Sequence, residues 1–500
     1  EETESVTTYH STRNAEKTLT ASQAILQGIA PDGGLYVPDH IPALDIALDR
    51  LADMTYQELA YEVMKKFFDD FTEEELKHCV NAAYDDKFDD SSIVPLVKAG
   101  GNHYLELFHG PTIAFKDMAL SILPYLMTTS AKKNGSTKEI VILTATSGDT
   151  GKAALDGFAD VPNTRIIVFY PKNGVSAIQE KQMVTQKGDN TSVVAIDGNF
   201  DDAQTNVKNM FGNADLAARL DAAGFQFSSA NSINIGRLIP QVVYYVYAYG
   251  QMVKQGAIAA GEPMNVVVPT GNFGNILAAY FAKQMGLPIQ KLIIASNENK
   301  VLVDFFATGA YDRNRDFILT TSPSMDILVS SNLERLLYLM ADESTEAVQT
   351  FMDQLKEIGR YEVTEAMKEK AKDFYADYAT EEEVAAQIAA LYHADGYVID
   401  PHTAVAAHVA NTYVAETDDH TPIIIASTAS PYKFPQAVLN AIDPEFSDDS
   451  MEEMLDRLRE LSGVAFPAAI EELLHAEVRH NTVVASDDMQ KSVESILGLN

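Results

Sequence analysis

His109-Gly110-Pro111-Thr112-Ile113-Ala114-Phe115-Lys116-Asp117 is a turn running into the start of a helix, with one lysine between an aromatic ring and a carboxylate. Gly110-Pro111 supplies the turn. Thr112 is the expected N-cap of a helix through Met118-Ala119-Leu120 towards Met127. A cation in the first turn of a helix opposes the dipole. That opposition, with partial burial beside Phe115, lowers the lysine pKa and favours the neutral amine. A neutral amine is what a Schiff base with an aldehyde cofactor requires. Taken alone, such a lysine reads as a side chain reaching into solvent, so its meaning depends on the rest of the chain.

The 500 residues carry a formal charge of −35 and are 46% hydrophobic, enough for substantial cores. Nucleic acid and anionic membrane surfaces both need clustered cations, so neither is expected as a partner. The single cysteine, Cys79, reads as a packed thiol, excludes a disulfide framework and suits a reducing, cytoplasmic setting. Glu1-Glu2-Thr3-Glu4 has neither the basic nor the apolar run of a secretory signal. The apolar runs at 242–248 and 423–425 are too short to span a bilayer.

Thr-x-x-Glu capping boxes at Thr55/Glu58 and Thr72/Glu75 open helices in the first hundred residues. Pro95 and Gly100-Gly101 mark the expected end of this part. Beyond it, Val- and Ile-rich strands at about 139–143, 165–169, 192–196, 265–268, 291–295 and 422–426 alternate with helices. They show little polar alternation, which predicts parallel sheets covered on both faces. Residues 341–392, with a third box at Thr380/Glu383, and residues 443–461 read as solvated acidic helices.

Three strand–turn–helix junctions carry chemistry. At 141–154 a strand delivers Thr146-Ser147-Gly148-Asp149-Thr150-Gly151-Lys152-Ala153 into a helix N-terminus, where free N–H groups hold anions. It approaches an ATP-binding loop, but Thr146 replaces the first glycine and Ala153 the metal-binding hydroxyl, so an NTPase is disfavoured. At 265–277 the loop Gly271-Asn272-Phe273-Gly274-Asn275 can wrap a phosphate with main-chain donors. It lacks the third glycine of a dinucleotide site, so a nicotinamide cofactor is disfavoured. At 423–434 a buried strand ends in Ser427-Thr428-Ala429-Ser430, where Thr428 can hydrogen-bond a ring nitrogen. Each loop alone would be an ordinary capped turn. Together, a reactive lysine, a phosphate loop and a strand-end hydroxyl are the fittings pyridoxal 5′-phosphate needs, with Lys116 forming the imine, Gly271 to Asn275 holding the phosphate and Thr428 meeting the pyridine nitrogen.

With these residues in view the chain resembles threonine synthase, a fold-type-II pyridoxal-phosphate enzyme, in its longer microbial and fungal form. The likeness runs through Ser11-Thr12-Arg13, residues 27–35, 106–117, 144–151, 231–238, 271–275, Ser324-Met325-Asp326-Ile327-Leu328 and Thr428-Ala429. It implies an α/β fold of the tryptophan synthase β type: an N-terminal, mostly helical domain over 1–98 and a catalytic core over 99–500. Within the core, a smaller α/β subdomain is expected at about 135–245 and a larger one from about 99–134 and 246–500. Lys116 is implied as Schiff-base lysine and main proton shuttle. Ser147, Gly148, Asp149 and Thr150 are implied to hold the substrate carboxylate, and Arg237 with Asn231, Ser232 and Asn234 the substrate phosphate, a role for which Lys152, Lys181 and Arg13 compete. Two departures stand out: Asn275 where many relatives have Asp, and Ser430 where they have His. The implied reaction turns O-phospho-L-homoserine and water into L-threonine and phosphate, the last step of threonine biosynthesis, in a monomer or homodimer. The nearest rivals are a fold-type-II dehydratase or β-replacing synthase, and a degenerate, non-enzymatic relative.

Overall fold

A computed structural model describes residues 6–499. The initial Glu1-Glu2-Thr3-Glu4 lies outside the described residues. Two sheets, each covered by helices, carry the site. The six-stranded sheet has the spatial order Phe374–Tyr378, Ile289–Ser296, Met264–Pro269, Ile423–Ser427, Asn102–Glu106, Leu96–Ala99, all parallel except the last. The five-stranded sheet is wholly parallel, in the order Thr482–Ala485, Thr191–Asp197, Thr164–Pro171, Glu139–Ala145, Phe225–Ser228. The six strands expected from their unbroken Val/Ile content all form, buried on both faces as parallel strands are.

The helix Ile235–Lys254 threads the middle of the molecule with seventeen of its twenty residues buried. Its tyrosines explain how so apolar a helix stays specific: the Tyr244 hydroxyl bonds Asn275 Oδ1 at 2.6 Å and that of Tyr249 the Glu262 carbonyl at 2.8 Å. Helix starts follow the sequence signals. Thr72/Glu75 and Thr380/Glu383 form full reciprocal boxes. Thr55 accepts from the Glu58 N–H, but the Glu58 carboxylate takes the Thr55 hydroxyl rather than its backbone, so that box is half-formed. No helix among the described residues is long and apolar enough to cross a membrane.

Three expectations need correction. Gly100-Gly101 is no boundary: both have positive φ, +56° and +79°, and make the two-residue turn pairing Leu96–Ala99 with Asn102–Glu106. A cut between 98 and 99 would therefore pass through a strand. The stretch 341–392 is not purely helical, because Phe374–Tyr378 forms the edge strand of the larger sheet. The C-terminal strand Thr482–Ala485 joins the smaller sheet, so residues 246–500 do not all belong to the larger subdomain, and a cut at 245 would divide the central helix. The N-terminal part is mainly helical, as expected, and adds an antiparallel sheet of Tyr9–Ser11, Asn14–Leu19 and Tyr36–Pro38, two of whose strands have only three residues.

Candidate functional site

Every loop singled out in the sequence leaves the carboxyl end of a parallel strand, where open α/β sheets bind ligands. After Asn102–Glu106 the chain turns at Gly110, where a Cβ would lie 2.7 Å from that of Asp117. Asp117 accepts from the Thr112 N–H at 2.8 Å and from its hydroxyl at 2.6 Å. Thr112 thus closes the turn instead of capping a helix. The helix that follows is one turn, Asp117–Leu120, with Lys116 at its cap and no side-chain cap bond, and a second helix, Leu123–Lys133, takes over. The turn is stitched to the strand end at 427–430: the Phe115 N–H donates to the Thr428 carbonyl at 2.7 Å, and that of Ser430 to Ile113 at 3.0 Å.

Lys116 lines the cleft part-exposed, with Nζ 5.9 Å from the Phe115 ring centre. Enclosure of its amine by protein is the main influence pushing its pKa down, to about 8; Asp149 opposes this, and Arg237 and Lys433 reinforce it. A one-turn helix has little dipole, so of the two causes read from the sequence burial is the one that acts, joined by two cations in place of the helix end.

The loop 270–275 is built to be approached closely. A Cβ on Gly271 would sit 2.5 Å from the Ser324 carbonyl. Phe273 is held in the left-handed region at φ +73°, its ring stacked on Phe306; a non-glycine residue there stores on the order of 1 kcal/mol or more. Gly274 then opens the eleven-residue helix Gly274–Gln284, whose free N–H groups face the loop. Ser330 Oγ donates to the Gly271 carbonyl at 2.6 Å and the Asn332 N–H to that of Asn272 at 2.8 Å. Behind the loop the Ser324 N–H donates to His402 Nε2 at 3.2 Å, which leaves the other ring nitrogen, 2.7 Å from Asp400, as the one carrying hydrogen. Asn275 is buried; Oδ1 accepts from Tyr244 at 2.6 Å and from Tyr245, and Nδ2 has no partner. Ser430 Oγ accepts from the Tyr432 N–H, the work of a cap.

Across the cleft, Thr146 Oγ1 accepts from the N–H groups of Gly148 and Gly151, both at 2.9 Å, shaping the loop 147–150 ahead of the helix Asp149–Phe158. Gly148 has φ +140° and lies flat against the Gln179 amide. The Asp149 side chain is not free to hold a substrate carboxylate. It is a buried carboxylate, an acceptor only, already engaged by Lys433 at 2.8 Å and Gln179 at 3.1 Å. Lys433 and Lys116, with Gln179, hold it ionised far below the usual range although burial works the other way. A second carboxylate would be repelled by that side chain, so donors there come from Ser147, Gly148, Thr150 and the free backbone N–H groups of the helix start, that of Asp149 included.

Of the anion-site residues, Arg237 is distinctive. Its Nη1 donates to the Ala230 carbonyl at 2.9 Å, its Nε has no partner, and burial pushes the guanidinium down to about 10. No carboxylate pairs with it among the described residues. Asn234 is removed from the set: its amide N–H groups go to Ile25 and Ser229 carbonyls and its oxygen caps the Gly236 N–H. Ser232 lends its carbonyl to Asn332, and Asn231 its carbonyl to the Asn234 N–H. Arg13 is taken by Glu334 through two nitrogens, at 3.0 and 2.9 Å, and Lys152 by Gln186 at 2.5 Å. Lys181, part-exposed on the helix Ala177–Val184, remains the other cation to consider.

Four participants went unread in the sequence: Lys433, Gln179, Asn332 and Arg335. Lys433 stood within a quoted strand-end stretch, but a lysine three residues past a cap carries no sign of burial. Arg335 bonds the carbonyls of Tyr36 and Ile233 and the Asn332 side chain, joining three segments that only the fold brings together.

Comparison with known proteins adds to this geometry. Three family profiles match: "Threonine synthase N terminus" at residues 8–84, "Pyridoxal-phosphate dependent enzyme" at 100–428 and "Threonine synthase, C-terminal" at 403–494. Threonine synthase-like 1 of Pongo abelii is 42% identical over 86% of this chain and 59% of its own length. The chain thus spans about three fifths of the threonine synthase-like 1 relatives it matches. Threonine synthase of Saccharomyces cerevisiae is 37% identical over 91% of this chain and 93% of its own. The crystal structure of pyridoxal-phosphate-bound threonine synthase from Brucella melitensis superposes with a TM-score of 0.86 at 35% identity, covering 99% of each chain.

Proposed function

Because the chain belongs to the threonine synthase family of pyridoxal-phosphate-dependent enzymes, we propose that it binds pyridoxal 5′-phosphate and converts O-phospho-L-homoserine and water into L-threonine and phosphate. The observation that carries this reading is the charge of the cleft. In a chain of net −35, the Lys116 amine is faced by two cations, Arg237 and Lys433, and by one carboxylate, Asp149, which Lys433 already pairs. Such a pocket suits a doubly anionic ligand, and it overcomes the repulsion of the whole molecule locally.

The residues present fit the cofactor. Gly271 lets the loop pack against the Ser324 carbonyl with no side chain between, a helix N-terminus opens at Gly274, and the buried Nδ2 of Asn275 lacks an acceptor. Asn275 thereby offers a donor where a carboxylate would add negative charge. Thr428, whose carbonyl accepts from the Phe115 N–H one residue before Lys116, carries a buried hydroxyl that suits a pyridine nitrogen. Bound there, pyridoxal phosphate supplies an aldehyde for covalent attachment and a conjugated ring that accepts the electrons of a broken C–H bond.

The chain's own groups do the rest. Lys116, with a pKa near 8, takes the protons of Cα and Cβ and returns them at Cγ and Cα, while water adds at Cβ. The donors of Ser147, Gly148 and Thr150 hold the substrate carboxylate. Arg237 binds the substrate phosphate and keeps it in place as it leaves Cγ. Incubation with phosphohomoserine should release phosphate and threonine in equal amounts. Turnover of serine or threonine without phosphate release would support a dehydratase instead.

A further inference from the structure

Lys433 follows the strand end by six residues, and nothing in its sequence surroundings requires a cation there. Its Nζ donates to Asp149 Oδ1 at 2.8 Å and to the Thr112 carbonyl at 3.1 Å, and the two charged side chains are 0% and 4% exposed. Lys433 and Thr112 belong to the wall formed by the six-stranded sheet. Asp149 and Gln179 belong to that of the five-stranded sheet. The ion pair therefore ties the two walls together, and through the Thr112–Asp117 bonds it reaches the residue next to Lys116. Two charges taken from water rarely add net stability over an apolar pair, so another reason for them is called for.

We propose that Lys433 is a positioning residue for Lys116: it fixes the loop 147–150 against the lysine turn, and its cation offsets the field of Asp149 at the Lys116 amine. Three charged groups face that amine, Asp149, Arg237 and Lys433, and beyond them Asp117 and Lys152 face Lys433. Without Lys433, Asp149 would stand uncompensated beside Lys116 and hold it as the ammonium ion. An ammonium can neither take a proton nor condense with an aldehyde. The catalytic meaning of this device rests on the reading of Lys116 as the cofactor lysine, whereas the electrostatics hold for the chain by itself.

The test is the pH dependence with which Lys116 is acetylated by trace acetic anhydride, followed by mass spectrometry on the full chain freed of bound aldehyde by hydroxylamine. Lys433→Met should move the midpoint up by on the order of one pH unit. Asp149→Asn should move it down, and the double variant should return it close to the parent. A role in packing alone would not give shifts of opposite sign. A Lys433→Met midpoint equal to the parent's, or both single variants moving the same way, overturns the proposal. Should Lys433→Met fail to fold, Asp149→Asn and the double variant decide by the same pattern. Loss of the cofactor assignment would show separately, as a borohydride label absent from Lys116, and would leave these midpoints unaffected.

Discussion

The Phe115 N–H and the Thr428 carbonyl, 2.7 Å apart, join two distant segments and bring the backbone next to Lys116 against that of Thr428. The bond uses only Thr428 backbone, so its hydroxyl can be removed without loosening the turn. Thr428→Val is expected to leave the urea midpoint within about 1 kcal/mol of the parent, while kcat/KM falls tenfold or more. Unchanged kinetics would remove the hydroxyl from the site.

Gly271 and Gly274 should differ sharply. An alanine at 271 meets a backbone oxygen at 2.5 Å, which has nowhere to go, whereas one at 274 has an ordinary contact with the Asn332 amide at 3.4 Å. Gly271→Ala should raise the Kd for pyridoxal phosphate more than about tenfold, about 1.4 kcal/mol, and Gly274→Ala by less. Titration of the cofactor absorbance checks both.

Among the described residues Arg237 is a buried cation with one hydrogen bond and no counter-ion, an arrangement that does not help the fold by itself. Arg237→Met should therefore be as stable as the parent or more so in the absence of substrate. Loss of a charged hydrogen bond to phosphate costs about 1.5–3 kcal/mol, so the KM for phosphohomoserine should rise roughly 10- to 100-fold. Equal weakening of cofactor binding would place Arg237 elsewhere.

His109 gives a pH dependence of definite sign. Burial opposes its charge, yet Asp89 at 2.5 Å and Glu106 at 2.8 Å outweigh that and raise it to about 9. A raised histidine stabilises fully below its unfolded value of about 6.5, and the contribution fades as pH rises to about 9. Lys116 acts with the opposite sign above about 8, and His103 and His480, both lowered by burial, do so around 6.5, so the difference between parent and His109→Gln over about 6.5 to 8 reports His109. Chemical unfolding should show stability falling there by about 1–2 kcal/mol, and His109→Gln should flatten the slope.

Much of the parallel framework was legible because buried strands read as unbroken Val/Ile runs and their loops hold the glycines and hydroxyls that anion sites need. The Lys116, Gly271 and Thr428 segments lie where strand ends must place them. What escaped the sequence depends on tertiary partners. Asp149 looks like a donor-loop residue until Lys433, almost three hundred residues on, is found against it. Asn234 looks like a ligand-binding amide until the Ile25 and Ser229 carbonyls claim it. Phe374–Tyr378, amid acidic helices, becomes a strand only because Ile289–Ser296 offers it an edge.

The most direct measurement is reduction of the protein loaded with pyridoxal phosphate by borohydride, followed by digestion and mass spectrometry. The pyridoxyl label is expected on the peptide containing Lys116 and on no other lysine. A label on Lys152, Lys181 or Lys433, or no label at all, would contradict the account at its centre.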